Sequence, residues 1–133
     1  MYQQPILICM PALIIGEGLQ VQFDYWGFKQ IELALTIEKA MESLRRHAPT
    51  LLVLDADWPN TEQTFRLIQQ VRRNNTNIPV IFLSKHDGET LGWAAQLQWL
   101  SPFRWLSKPC HIEELWQAVH SLVPHIDRSS GQG

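Results

Sequence analysis

An open, doubly wound α/β sheet of five parallel strands is the fold this sequence predicts, on three observations. Short apolar runs alternate with longer amphipathic segments along the chain, the pattern of repeated βαβ units whose helices cover both faces of a parallel sheet. Most of the runs are rich in β-branched or aromatic residues, as strands of such a sheet are. The length of 133 residues suits one domain, which would bury roughly two thirds of the surface its unfolded chain exposes, and no separate second domain fits.

The first apolar run is Ile6–Cys9, and an irregular helical pattern follows over residues 13–24. Residues 30–35 make the second strand. Ile37, Ala40, Met41 and Leu44 then recur at i, i+3, i+4 and i+7 with Glu38, Lys39, Glu42 and Arg45 opposite, the apolar stripe of a surface helix. Thr36 stands where an N-cap belongs, because its hydroxyl oxygen can accept a first-turn N–H. The third strand falls at 51–54, the third helix at 61–73, and Asn74, Asn75, Thr76 and Asn77 form the loop after it. Residues 80–83 are the fourth strand, 90–97 an irregular fourth helix, and Trp105 and Leu106 a short fifth strand. Ile112, Leu115, Trp116, Val119 and Leu122 repeat the surface-helix spacing and complete five strands and five helices. Short loops and right-handed crossovers restrict such a chain mostly to open doubly wound sheets, of which the flavodoxin-like strand order 2-1-3-4-5 is the common five-stranded solution. The domain is expected over residues 1–124, with the polar residues 125–133 as a tail or the start of a linker.

Eleven basic and 13 acidic residues give a formal net charge of −2, which points to neither a nucleic acid nor an anionic membrane as partner. The basic pairs Arg45-Arg46 and Arg72-Arg73 fall at helix C-termini, where cations are favoured by the helix dipole. The first residues carry no lysine or arginine, and Pro11 and Gly16 interrupt the apolar stretch behind them, so neither a signal peptide nor a membrane span is expected. Cys9 and Cys110 are about 100 positions apart without metal-ligand spacing, the usage of reduced thiols in a cytoplasmic protein.

The chemistry gathers where the strands end. The run Leu51-Leu52-Val53-Leu54 stops at Asp55, with Pro59 closing the turn; the fourth strand stops at Ser84; the fifth is followed by Lys108-Pro109. Ligands of open α/β sheets bind at the carboxyl ends of the strands, so an acid, a hydroxyl and an amine meet in one pocket there.

Leu-Asp-x-x-x-Pro at 54–59, Ser84 after its strand, and Leu-Ser-Lys-Pro at 106–109 followed by Ile-Glu-Glu-Leu at 112–115 resemble the receiver domain of two-component response regulators over about residues 5–123. The resemblance implies that Asp55 stands at the position that accepts a phosphoryl group from a histidine kinase, through an acyl phosphate. It implies that Lys108 contacts the phosphoryl oxygens, that Ser84 is the switch hydroxyl, and that Trp105 is the switch aromatic. It also implies a signalling module rather than an enzyme. The partner would be a histidine kinase or an output domain, docked on the face of the last two helices, which is also a face for homodimerisation.

The departure is at the end of the first strand, where the family holds Mg²⁺ with two adjacent acids and this chain has Met10 and Pro11. A thioether and a proline ring are not hard oxygen ligands, so no metal site is expected beyond weak Mg²⁺ binding at Asp55 and the Asp57 backbone. Asp57 lies two residues beyond Asp55, on the same side of an extended segment, and is one acid able to substitute; Glu17 and Asp87 are others. Gln63 replaces a common glycine, Ser101-Pro102 a Gly-Ala pair, and His111 an aspartate helix cap. Two readings follow. One is a degenerate pseudo-receiver, closed by an Asp55–Lys108 ion pair and acting as a protein-interaction module. The other is a conventional switch phosphorylated at Asp55. A flavodoxin-like enzyme or nucleotide binder would need a glycine-rich phosphate loop after the first strand, which is missing.

Six tryptophans are many for this length; Trp58, Trp93, Trp99, Trp105 and Trp116 border the strand ends or the last two helices. Trp93 and Trp116 are read as helix-packing residues, and Trp99 as the best candidate for an exposed contact. His47, His120 and His125 belong to helix surfaces or ends, and His86 to the loop rim beyond Ser84. Cys9 has neither a base nor a cation beside it in the sequence, so it is read as a buried strand-end residue.

Overall fold

β1 (Ile6–Cys9), β2 (Ile31–Ala34), β3 (Leu51–Asp55), β4 (Val80–Ser84) and β5 (Phe103–Ser107) pair in parallel in a computed structural model, in the order β2-β1-β3-β4-β5. The structure describes residues 5–57, 61–74, 77–86 and 102–123. Four helices lie within them, α1 (Leu13–Tyr25), α2 (Ile37–Arg46), α3 (Thr61–Asn74) and α4 (Ile112–Leu122). The strand order is the one the sequence predicts. The helix expected at 90–97 lies outside the described residues, as do Trp58, Asp87, Trp93, Trp99 and the tail.

The central strands are buried on both faces, and their side chains divide by parity. Leu7, Cys9, Leu52, Leu54 and Phe82 pack with Ala40 of α2 and Leu67, Ile68 and Val71 of α3. Ile6, Ile8, Met10, Val53, Ile81 and Leu83 pack with Phe23 of α1 and Leu115 and Val119 of α4. Alternate side chains of a strand point to opposite faces, so near-continuous apolar runs are needed to fill both layers. Each fully buried Leu, Ile or Phe contributes about 1.5–3 kcal/mol of transfer free energy.

Local chemistry sets the helix ends. Thr36 Oγ1 accepts the Lys39 N–H at 3.1 Å, the N-cap bond expected of it. α1 ends in a Schellman turn: the Gly27 N–H donates to Asp24 O (2.9 Å), the Phe28 N–H to Phe23 O (3.0 Å), and Gly27 takes φ 104°, where a side chain would be strained. The Phe23 and Phe28 rings meet edge-on at 5.5 Å and seal that turn. At α4 the Glu114 carboxylate accepts the His111 N–H at 3.2 Å, which ties the residue before the helix to its first turn.

Two details depart from the sequence reading. β5 runs from Phe103 to Ser107 and not only over Trp105 and Leu106, because its ladder with β4 includes Phe103 opposite Val80 and Ser107 opposite Ser84. As an edge strand it carries exposed Arg104 and Ser107, which break the apolar run that the sequence reading relies on. β2 is shorter than 30–35 by a residue at each end. Arg72 stands in the last turn of α3, as expected, and it is buried there, donating to Ile78 O at 2.6 Å and Pro102 O at 3.1 Å and so tying the chain before β4 to the chain before β5. Its burial pushes the guanidinium pKa down. Among the described residues no helix is long and apolar enough to cross a membrane.

Candidate functional site

The sheet register brings the predicted site residues together. Asp55 is the last residue of β3 and Ser84 the last of β4, and Ser84 pairs with Ser107, so Lys108 follows at the same level. The Lys108 N–H donates to Ser84 O at 2.8 Å and fixes that level. The Lys108–Pro109 peptide is cis. Cys9 pairs with Leu54, so Met10 stands level with Asp55.

Lys108 Nζ lies 2.9 Å from Asp55 Oδ1 and 3.2 Å from Asp57 Oδ2, bridging the two carboxylates. The Asp57 N–H donates to Asp55 Oδ1 at 2.9 Å, a turn in which the first carboxylate organises the backbone of the second. Asp57 reaches across to β4: its Oδ1 accepts the Ser84 hydroxyl at 2.5 Å and its Oδ2 the Lys85 N–H at 2.8 Å. Ser84 Oγ in turn accepts the His86 N–H at 2.9 Å. Partial burial opposes ionisation of Asp57, but the Ser84 hydroxyl, the Lys85 N–H and the Lys108 ammonium together outweigh it and hold its pKa below the usual carboxylate value.

Trp105 connects to the same loop. Its indole Nε1–H donates to His86 O at 2.9 Å, and its ring packs on Phe82 with centroids 5.0 Å apart. His86 thus joins the network through its backbone. Trp116 is half-buried between Trp26 (4.5 Å) and His120 (4.1 Å), a packing residue that joins α4 to the end of α1. Cys9 is fully buried; burial and the charge of Asp55 push its thiol up to about 12, so it holds no thiolate at neutral pH.

A sequence model of the response regulator receiver domain matches residues 6–120, which take in every strand and the whole of this network. The chain belongs to the response regulator receiver family. Solved structures agree with it in fold. A two component transcriptional regulator AraC from Clostridium phytofermentans is 21% identical with a TM-score of 0.78, over 95% of this chain and 97% of that one. A response regulator receiver protein from Sinorhizobium medicae is 22% identical with a TM-score of 0.78, over 93% and 97%. A Francisella response regulator receiver domain is 23% identical with a TM-score of 0.73, over 96% and 99%. Among curated proteins no match is found.

The donor set of this receiver does not fit the Mg²⁺ that the family implies. Mg²⁺ demands near-octahedral oxygen ligation. Met10 offers a thioether, is 2% exposed, and belongs to the core layer under α1 and α4. Pro11 offers no side-chain oxygen. Asp57, the nearest acid able to substitute, has both oxygens engaged by Ser84, Lys85 and Lys108, and Glu17 is exposed on α1. Among the described residues no group of three or more His, Cys, Asp or Glu side chains gathers to hold a metal.

The sequence reading missed what Asp57 does. It places Asp57 beside Asp55 as a spare metal ligand, whereas the turn aims the carboxylate at β4. The signal available was a second acid two residues after the first, facing a strand that ends in a hydroxyl.

Proposed function

We propose that this receiver is a degenerate one, a pseudo-receiver of a cytoplasmic two-component system that works as a protein-interaction module without Mg²⁺ and without depending on phosphorylation of Asp55. The observation that carries the reading is the end of β1, where a core-packed Met10 and Pro11 stand level with Asp55 in place of oxygen ligands. Phosphoryl transfer to a carboxylate needs the charge on the transferred group neutralised, and without a divalent ion on the order of several kcal/mol of that stabilisation is lost. Lys108 brings one positive charge to the two carboxylates.

The ligand of such a module is another protein, a histidine kinase or an output domain, and it is a signalling part rather than an enzyme. Of the face expected from the sequence, β5 and α4 are described. Among the described residues the exposed large apolar side chains concentrate on α1, at Leu13, Ile14, Ile15, Val21 and Tyr25, with Ile112 on α4. The retained Asp55, Ser84 and Lys108 favour a second reading, a phosphoacceptor switch with an atypical metal site.

The two readings part on one measurement. The protein is incubated with Mg²⁺ and a small phosphodonor, and its intact mass and tryptophan fluorescence are followed. The pseudo-receiver gives no added phosphoryl mass and no Mg²⁺-dependent fluorescence change; efficient labelling of Asp55 overturns it.

A further inference from the structure

We infer that the Asp57 carboxylate is a built-in ligand of this receiver's oxyanion site, holding Ser84, the 84–86 loop and Trp105 in an engaged arrangement in the absence of any phosphoryl group. A hydroxyl, a backbone N–H and an ammonium converge on the two oxygens of one side chain, at 2.5 Å from Ser84, 2.8 Å from Lys85 and 3.2 Å from Lys108. Three donors of these kinds from two neighbouring strand ends form the recognition set for a tetrahedral oxyanion such as a phosphoryl group. They come from β4, the residue after it, and the residue after β5, so the acceptor they share pins those ends to the turn after β3. Asp57 comes from that turn, and its own N–H is anchored on Asp55.

The bonds then run outward in series. The Ser84 hydroxyl donates to Asp57 Oδ1 and its oxygen accepts the His86 N–H; the His86 carbonyl accepts the Trp105 indole N–H. A change at Asp57 is therefore transmitted over four residues to an aromatic side chain on the edge strand. A second anion arriving at Asp55 would meet donors already taken and a carboxylate of its own sign.

The inference rests on the receiver reading, but its test uses neither Mg²⁺ nor a phosphodonor, so the two stand or fall separately. The probe is inorganic phosphate, read by the indole ¹⁵N–H resonance of Trp105, assigned with Trp105→Phe, and by the Lys85 amide. Wild-type resonances are expected to be indifferent to phosphate. In Asp57→Ala both resonances shift; phosphate then binds at least about tenfold more tightly than to wild type and returns both toward their wild-type positions, since the freed charge-assisted donors are worth that factor or more. Asp57→Asn, which keeps the side chain's size and removes its charge, gives a smaller shift of the same sign and serves if Asp57→Ala does not fold. Trp105 and Lys85 resonances unchanged in both variants, or phosphate bound equally by wild type, would overturn the inference. Labelling of Asp55 in the phosphodonor experiment leaves it standing.

Discussion

Ser84 Oγ donates to Asp57 Oδ1 over 2.5 Å, so the hydroxyl at the end of β4 is taken by the side chain two residues beyond Asp55. With Lys108 bridging Asp55 and Asp57, the carboxyl edge of the sheet forms one connected network across β3, β4 and β5. Its members are coupled, so each substitution there is read against the partners it leaves behind.

Lys108→Met leaves two carboxylates facing each other, with the Asp55 side chain 8% and the Asp57 side chain 13% exposed. Removing one partner of a buried ion pair costs about 3–5 kcal/mol, and the 28% exposure of Lys108 brings this down to about 1–2 kcal/mol at neutral pH. The loss should fade in acid as Asp57 loses its charge. Urea denaturation of the variant and wild type at neutral and acidic pH checks this; an unchanged midpoint at neutral pH contradicts it.

Asp57 gives the stability curve a pH dependence of known sign. Its folded pKa lies below the unfolded value, so the stability it contributes is fully present above the unfolded carboxylate pKa and is lost as pH falls through the folded one. The difference between wild type and Asp57→Asn should be flat from neutral pH down to about 5 and shrink below about 4. Paired urea titrations across that range test it, and a difference that grows in acid would refute it.

Much of this was legible in the sequence, for reasons that differ from place to place. Two buried faces force apolar runs, so β1, β3 and β4 stood out, and Asp55, Ser84 and Lys108 could be placed at strand ends by counting. The Thr36 cap was readable because its bond spans three residues. β5 was blurred because an edge strand is held by its ladder and tolerates Arg104 in an apolar run. Arg72 was legible as a helix-end cation, but its burial was not, because its carbonyl partners, Ile78 and Pro102, lie 6 and 30 residues away. The aim of Asp57 depends on the turn after β3, and alternation along an extended strand does not specify a turn.

Met10→Asp would restore an acid at the family's position, yet its side chain would enter the layer formed by Ile8, Phe23 and Leu115. A carboxylate there is desolvated and displaces a packed thioether, so the variant should lose about 3 kcal/mol or more. Pro11→Asp, at a half-buried position just beyond the strand, should be tolerated. Chemical denaturation with Mg²⁺ titration by calorimetry checks both. Gain of tight Mg²⁺ binding by Met10→Asp without destabilisation would place residue 10 in the pocket and not in the core.

The two thiols should differ in reactivity although neither is in a disulfide. Cys9 is fully buried on β1, and burial together with the negative charge of Asp55 holds its pKa up to about 12. The thiolate is the reacting form, so at pH 8 native Cys9 has almost none, and the alkylating reagent has no path to it without unfolding. Cys110 is half-buried, and burial followed by the charge of Glu114 raises its pKa as well, so it should react, but more slowly than a free cysteine. Native protein treated with iodoacetamide should therefore take up a single label, mapped by peptide mass to Cys110. In urea both thiols should react. The rate at Cys9 under native conditions then reports opening of β1 from the centre of the sheet, and fast labelling there without denaturant would contradict the packing of that strand between β2 and β3.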